Sequence, residues 1–330
     1  MLPSLEKRLD EVNSPVRRKI LSRFSKNKWP REVYGLLSDF FSRKGKSLRP
    51  VLCLECCRAI GGREQDALQA ALAIELFHNF TLIHDDIEDC SLMRRGKPCL
   101  HVEYGVPLAL NAGDGLFMTV WQEAMKMPGW RREQAMRMLL SAFTKVLEGQ
   151  AVELGWYHNG KWDVGEREYY NVVRGKTGAL IAASCEVGAF LGGADRRTCR
   201  ALSEFGMGLG VGFQMIDDVL NVIGNERKYG KEIGGDLQEG KRTLITILAL
   251  RKLKGREKRR LELILKKRVK SRRELAEAIA LLRKSGAPKK VMGVAERIVE
   301  LAVSKLSVLP ESSHKQTLLQ LAQYVTERQR

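Results

Sequence analysis

The sequence predicts an all-α protein, a single-domain helical bundle, and three observations lead there. Apolar residues recur at three- and four-residue spacing over most of the chain. No run alternates apolar and polar residues as a half-buried strand would. Hydrophobic residues make up 44% of the 330 positions against only nine prolines, so long helices can form and bury a sizeable core. No linker rich in Gly, Ser or Pro divides the chain, and one domain is assigned to residues 1–330.

The elements follow in order. Residues 4–43 read as amphipathic helices interrupted at Pro15 and Pro30, because proline removes a backbone donor and crowds the preceding turn. A basic loop, GKSLRP (45–50), feeds the apolar helix VLCLECCRAI. Pro50 suits its first turn, and Gly61-Gly62 end it. Residues 64–91 form one long helical pattern, followed by a loop containing RRGKP. Helix signals resume at 107–127, around 131–157, and at 166–191, 197–221 and 241–254. The last third is helical with short breaks at Gly255, Gly286 and Pro310. Gly206, Gly208, Gly210 and Gly212 follow no strand and do not match dinucleotide-loop spacing, so they are expected to serve close helix packing.

Composition narrows the function classes. The formal net charge is +18, and residues 251–290 hold 17 Lys and Arg against 4 Glu. Such a balance invites nucleic acid, an anionic membrane or a phosphorylated substrate. Segments such as RRELAEAIALLRK (272–284) place apolar residues at helical spacing with the charges outside, which is a solvated helix face. No nucleic-acid motif accompanies them, and no nucleic-acid partner is expected. No stretch approaches the roughly 20 apolar residues of a membrane span, and no apolar signal segment opens the chain, so a cytoplasmic protein is expected. Cys53 and Cys56 form a lone C-x-x-C without the second pair or spaced histidines of a zinc site. All seven cysteines are read as reduced thiols, some in helix cores.

The chemistry concentrates in two acidic clusters. Asp85, Asp86 and Asp89 follow a largely apolar helix segment. Asp85 and Asp89 share a face, with Asp86 about 100° round. A second pair, Asp217-Asp218, follows the apolar stretch Phe213 to Ile216 and precedes Asn221. If the two clusters faced each other they would gather at least five carboxylates. Like charges at 4 Å repel by about 4 kcal/mol at an effective dielectric near 20, so such a site needs cations. Oxygen-only donors indicate a hard ion, and Mg²⁺ held by carboxylates and substrate phosphates fits best. Basic residues accompany both clusters: Lys46 and Arg49, Arg94 and Arg95, Lys176 beside Thr177, and Lys231 and Lys241. Together they suggest two diphosphates, one held on magnesium and one on lysine and arginine.

At this point the sequence resembles the trans-isoprenyl diphosphate synthase (polyprenyl synthetase) family, most of all its archaeal-type geranylgeranyl diphosphate synthases. HDDIEDCSLMRRGKP is similar to that family's first aspartate-rich motif, and FQMIDDVLN with GKEIGGDLQEGK to its second. GKSLRP, GQAVEL (149–154), GKTGAL (175–180) and the terminal YVTERQR match further signatures in the same order. The resemblance implies an all-α bundle around a deep central cavity, usually as a homodimer. It implies a short-chain prenyltransferase that condenses isopentenyl diphosphate with dimethylallyl, geranyl or farnesyl diphosphate, mainly to geranylgeranyl diphosphate. A farnesyl or bifunctional product is the alternative, and a non-catalytic partner subunit of a heteromeric synthase the more distant one.

Roles carry over by position. Asp85, Asp86, Asp89, Asp217 and Asp218 would bind about three Mg²⁺. These ions, with Arg94, Lys176, Lys231 and Lys241, would hold the allylic diphosphate. Lys46, Arg49, His78 and Arg95 would hold isopentenyl diphosphate, and Thr177 and Gln214 would face the reacting carbons. Phe80, five residues before Asp85, would floor the product pocket, with the small Thr81 leaving room. Asn221 departs from the family's usual Asp, which leaves its role open. His84 is read as structural. A class I terpene cyclase would want a different second motif and would have no use for Lys46 and Arg49.

Overall fold

The computed structural model describes residues 3–25, 28–43, 45, 47–224 and 233–327. Lys46 and Lys231 therefore lie outside the described residues. The described chain is helical apart from one two-stranded hairpin. It groups into two compact units: Met1–Phe143 with Leu180–Ser203 and Val308–Leu318, and Thr144–Ala179 with Glu204–Ser307 and Leu319–Arg330.

The first unit begins with helix α1 (Pro3–Arg23). It runs through Pro15, contrary to the expected interruption. Leu5, Leu9, Val12, Val16 and Ile20 form an unbroken buried stripe on both sides of the proline. Burying that stripe outweighs the roughly 3 kcal/mol that an interior proline costs. Pro30 does interrupt, standing as the cap before α2 (Arg31–Ser42). Helix α3 (Leu48–Ala59) is buried almost all round, as its continuous apolar sequence requires. It packs on α4 (Glu64–Glu88), which packs in turn on α6 (Val106–Ala124), after the short α5 (Leu100–Tyr104).

The cysteines of α3 gain their meaning from a neighbour. Gly188 and Gly192, one turn apart on α9 (Ala179–Gly192), lie so close to α3 that an added Cβ would come within 2.1 Å of the Cys53 carbonyl and 2.6 Å of that of Cys57. Cys53, Cys56, Cys57 and Cys185 are buried free thiols.

The RRGKP segment is not an open loop. Met93–Arg94 (β1) and Lys97–Pro98 (β2) pair antiparallel across a two-residue turn. Arg95 and Gly96 both take positive φ (54° and 77°), as a tight hairpin of this hand requires. Two-residue strands are too short to leave an alternating pattern.

The second unit holds the later part of α7 (Gly129–His158), α8 (Glu166–Val173) and a π-turn (Arg174–Gly178). The expected continuous helix over 166–191 is thus broken by one wider turn. Most of α10 (Arg196–Ile223) follows, where Gly208 and Gly212 pack as expected. A Cβ there would meet Ala302 at 2.7 Å and Val299 at 2.4 Å, both on α15 (Ala287–Ser304). Then come α11 (Gly235–Glu239) and α12 (Leu244–Lys252). The basic stretch forms α13 (Gly255–Lys266) and α14 (Arg272–Ser285), separated by an unforeseen break that Ser271 and Glu274 cap reciprocally. The charges on the two helices lie outward and partly pair, as in the bidentate Arg260–Glu277 contact at 2.7–2.8 Å, whereas Lys270 between them is buried. The last helix is α16 (Ser313–Glu327). Among the described residues no helix is long and apolar enough to cross a membrane.

Candidate active site

In the first unit, α4 delivers the first acidic cluster at its C-terminal end. Asp85 and Asp86 lie in the last turn, and Asp89 caps it, its N–H donating to the Asp85 carbonyl at 2.8 Å. Asp86 is 2% exposed, and Arg94 Nε donates to its Oδ1 at 2.8 Å. The hairpin therefore folds back over the helix end and brings Arg94 to the aspartates.

Arg95, next along the turn, donates to Asn79 Oδ1 at 3.0 Å and lies 5.4 Å over the Phe40 ring. Gly45 lets it pass, since a Cβ there would come within 2.9 Å of its guanidinium. The hairpin is anchored by Arg43, which donates to Pro98 O and to Asp39, each at 2.6 Å. His78 and Arg49 belong to the same neighbourhood. Burial, with Arg49, Arg95 and Arg94 nearby, holds the His78 imidazole well below its usual range, so it is neutral. Burial draws the Arg49 guanidinium down to about 10, against the pull of Glu75.

Phe80 and Thr81 sit one turn before the aspartates. Phe80 is 8% exposed and touches His84, Phe117 and Phe77, at ring separations of 4.5, 5.0 and 5.6 Å. Behind it Phe77 stacks on Phe143 at 3.8 Å. Thr81 Oγ1 donates back to the His78 carbonyl at 2.8 Å. His84 lies against Gly113 and 3.5 Å from Asp114, a packed position in keeping with a structural role.

In the second unit, α10 carries Gln214, Asp217, Asp218 and Asn221. A chain of hydrogen bonds runs from the π-turn into this helix. Thr177 Oγ1 donates to Gln214 Oε1 at 3.0 Å, and Gln214 Nε2 donates to Asp218 Oδ1 at 2.9 Å. The Tyr169 hydroxyl donates to Asp218 Oδ2 at 2.7 Å. Asp218 is only 4% exposed. Burial and the nearby Asp236 push its carboxyl up to about 8, although Gln214 and Tyr169 stabilise the anion. Asn221, the departure from the usual aspartate, has a definite contact: its Oδ1 accepts the Asp236 N–H at 3.1 Å and so holds the turn that leads to Lys241.

Lys241 Nζ lies 2.9 Å from Asp236 and 2.7 Å from Glu239. Burial opposes its charge, but these two carboxylates outweigh it and hold the ammonium above its ordinary value. Lys176 Nζ is 2.8 Å from Glu153, which also accepts from Tyr157 at 3.0 Å. The GQAVEL and GKTGAL segments meet here backbone to backbone. A Cβ on Gly149 would come within 2.6 Å of Lys176 N, and one on Gly175 within 2.9 Å of the Lys145 carbonyl.

The structure thus brings Arg94 to Asp86, with Arg95, Arg49 and His78 in its neighbourhood, and Thr177 and Gln214 to Asp218, while Lys241 pairs with Asp236 and Lys176 with Glu153. Sequence reasoning missed the groups that hold them: Glu75, Asn79, Arg43, Glu153, Tyr169 and Asp236. Glu75 had a signal, a lone acid inside the apolar run ALAIELF. Tyr169 and Arg43 had none. As for a metal, the donors at both clusters are carboxylate oxygens, with Asp86 and Asp218 buried and Asp85, Asp89 and Asp217 half-buried, and Asp218 is costly as an anion in its present surroundings. That donor set fits a hard divalent cation.

Comparison with known proteins settles the family. The polyprenyl synthetase family model matches residues 30–282. The chain belongs to the polyprenyl synthetase family. It is, by that membership, a prenyltransferase. It is 38% identical to a short chain isoprenyl diphosphate synthase of Methanothermobacter thermautotrophicus, over 86% of this chain and 87% of the relative. A geranylfarnesyl diphosphate synthase of Aeropyrum pernix is 37% identical over 91% of this chain and 95% of its own. Among solved structures, the geranylgeranyl pyrophosphate synthetase of Pyrococcus horikoshii superposes with a TM-score of 0.92 at 34% identity, covering 98% of both chains.

Proposed function

We propose that this chain, working over residues 1–330 as one synthase domain with a deep product pocket, condenses isopentenyl diphosphate with allylic diphosphates. Dimethylallyl, geranyl and farnesyl diphosphates are the primers, and geranylgeranyl diphosphate is the main product. The observation that carries the reading is the pairing of shielded acids with cations within each unit, buried Asp86 with Arg94 in the first and half-buried Asp236 with Lys241 in the second, where the Thr177–Gln214–Asp218 chain is also ordered. Family membership and the names of the relatives support the same chemistry.

Asp85, Asp86, Asp89, Asp217 and Asp218 would hold Mg²⁺, about three ions in the family pattern. Bound there, magnesium supplies neutralisation of the diphosphate leaving group. Arg94, Lys176, Lys241 and Lys231 add positive charge along the same diphosphate. Arg49, Arg95 and Lys46 grip isopentenyl diphosphate, and neutral His78 donates a hydrogen bond without adding repulsion among the arginines. When the allylic C–O bond breaks, positive charge develops on the allyl group. Thr177 and Gln214 present oriented oxygen dipoles to it, because each is fixed by the next in the hydrogen-bonded chain. The isopentenyl double bond attacks, and the departing diphosphate accepts the proton. Phe80, backed by Phe77 and Phe117, closes the pocket.

The protein acts in the cytoplasm as a homodimer. Exposed apolar residues on α6 (Val106, Leu110 and Met118), with Val102 on α5 and Met125 at the cap that ends α6, support a self-contact. The functional test is incorporation of labelled isopentenyl diphosphate into a longer allylic product, complete with Mg²⁺ and abolished by chelation. Incorporation that survives chelation would contradict the metal assignment.

A further inference from the structure

Glu75 lies in the middle of α4 and takes no part in the chemistry described so far. It is 3% exposed, among Ile74, Leu76 and Phe77. A buried carboxylate is retained only where surrounding groups compensate for its lost hydration. Here they come from the residues around the isopentenyl diphosphate grip. Ser47 Oγ donates to Glu75 Oε1 at 2.8 Å, and Asn79 Nδ2 donates to the same oxygen at 3.2 Å. Asn79 passes the contact on, its Oδ1 accepting from Arg95 at 3.0 Å. Arg49 and Arg95 both bear electrostatically on the carboxylate. Glu75 Oε2 and Arg49 Nε are both buried and have no hydrogen-bond partner among the described residues.

Ser47 has a second peculiarity. It stands just before α3, where a serine side chain normally accepts from the helix N–H groups. It makes no such cap. Its backbone is left-handed (φ 43°, ψ 49°), a conformation unfavourable for any residue with a Cβ. Strain of this kind persists only where the surroundings over-determine it. The hydroxyl's bond to Glu75 is the contact that does so, and it fixes Ser47 two residues before Arg49.

We infer that Glu75 is a positioning residue for isopentenyl diphosphate binding, holding Ser47 at the start of α3 and, through Asn79, the Arg95 guanidinium. This rests on the reading of Arg49 and Arg95 as the isopentenyl diphosphate grip. Glu75 touches neither substrate. The carboxylate keeps the two arginines from repelling each other and keeps Ser47 in its strained form, so that the diphosphate meets a preformed cationic site.

The experiment measures initial rates of the full chain with Mg²⁺, varying each substrate at saturating levels of the other, for Glu75→Gln, Ser47→Ala, Ser47→Gly and Arg95→Ala. Arg95→Ala tests the underlying site: if KM for isopentenyl diphosphate does not rise, the site reading itself fails. Given that rise, Glu75→Gln is expected to raise KM for isopentenyl diphosphate about tenfold, with KM for the allylic primer changed less than about twofold. Ser47→Ala loses the bond and keeps the strain, so it should behave like Glu75→Gln. Ser47→Gly relaxes the strain and should lie nearer wild type. Should Glu75→Gln not fold, the Ser47 pair decides, since that side chain is half-buried at the helix start. Two KM values rising together, or Ser47→Ala and Ser47→Gly matching wild type, would overturn the inference.

Discussion

Phe80 shows how one side chain can both pack and measure. Its ring is bound to Phe77, Phe117 and His84 but lies on the helix that ends in the aspartates. Phe80→Ala should lengthen the product beyond C20, with a stability loss of about 3–5 kcal/mol for the emptied space. Sizing the dephosphorylated alcohols checks it, and an unchanged profile would reject the floor role. Asp218 carries a second residue-scale prediction. Its folded value, pushed up to about 8, lies above its ordinary 3.8, so the folded chain favours the protonated form. The stability linked to that proton is full below about pH 4 and is lost as pH rises through about 8. Without metal, the melting temperature should therefore fall between about pH 5 and 9, and Asp218→Asn should flatten that fall. Parallel profiles for the two proteins would exclude the assignment. The acids and their basic companions were legible because they cluster in order along the chain. Glu75, Asn79 and Tyr169 were not, because a single polar residue in a helical run carries no spacing that names its partner.

At the scale of elements, two glycine contacts of similar tightness should separate in their effects. Gly149→Ala places a methyl group against the Lys176 backbone, and Gly188→Ala places one against the Cys53 carbonyl. Each should cost about 1–3 kcal/mol of stability by overpacking. Gly149→Ala should also lower kcat/KM by about tenfold or more, because it shifts the turn that carries Lys176 and Thr177. Gly188→Ala should leave the kinetics intact at temperatures where it is folded. Equal kinetic losses would mean that the π-turn has no special part. Helix periodicity found most elements, yet it misread the turn at 174–178 and the break at Pro15. One wider turn does not disturb the apolar spacing, and a proline can be carried by a stripe that buries on both sides of it. The two-residue strands at Met93 and Lys97 were invisible for a simpler reason, their length.

For the whole molecule, the exposed apolar residues on α6 predict self-association. Leu110→Glu should convert a dimer into monomer in sedimentation velocity, whereas an unchanged sedimentation coefficient would place the contact elsewhere. The charge of +18 was legible only as a total. The structure divides it between outward faces with carboxylate partners, such as Arg260 with Glu277, and inward groups such as Arg49 and Lys241. Motif order was enough to indicate the family, because several short signatures in sequence are far more specific than any one. Product length was not legible in the same way, since it depends on the depth of a pocket rather than on a motif. The direct test of the central claim is product analysis of the purified chain with Mg²⁺, isopentenyl diphosphate and each of the three allylic primers in turn. A dominant C20 alcohol from every primer is the predicted result. No elongation from any primer would contradict the assignment of this chain as a prenyl-elongating enzyme.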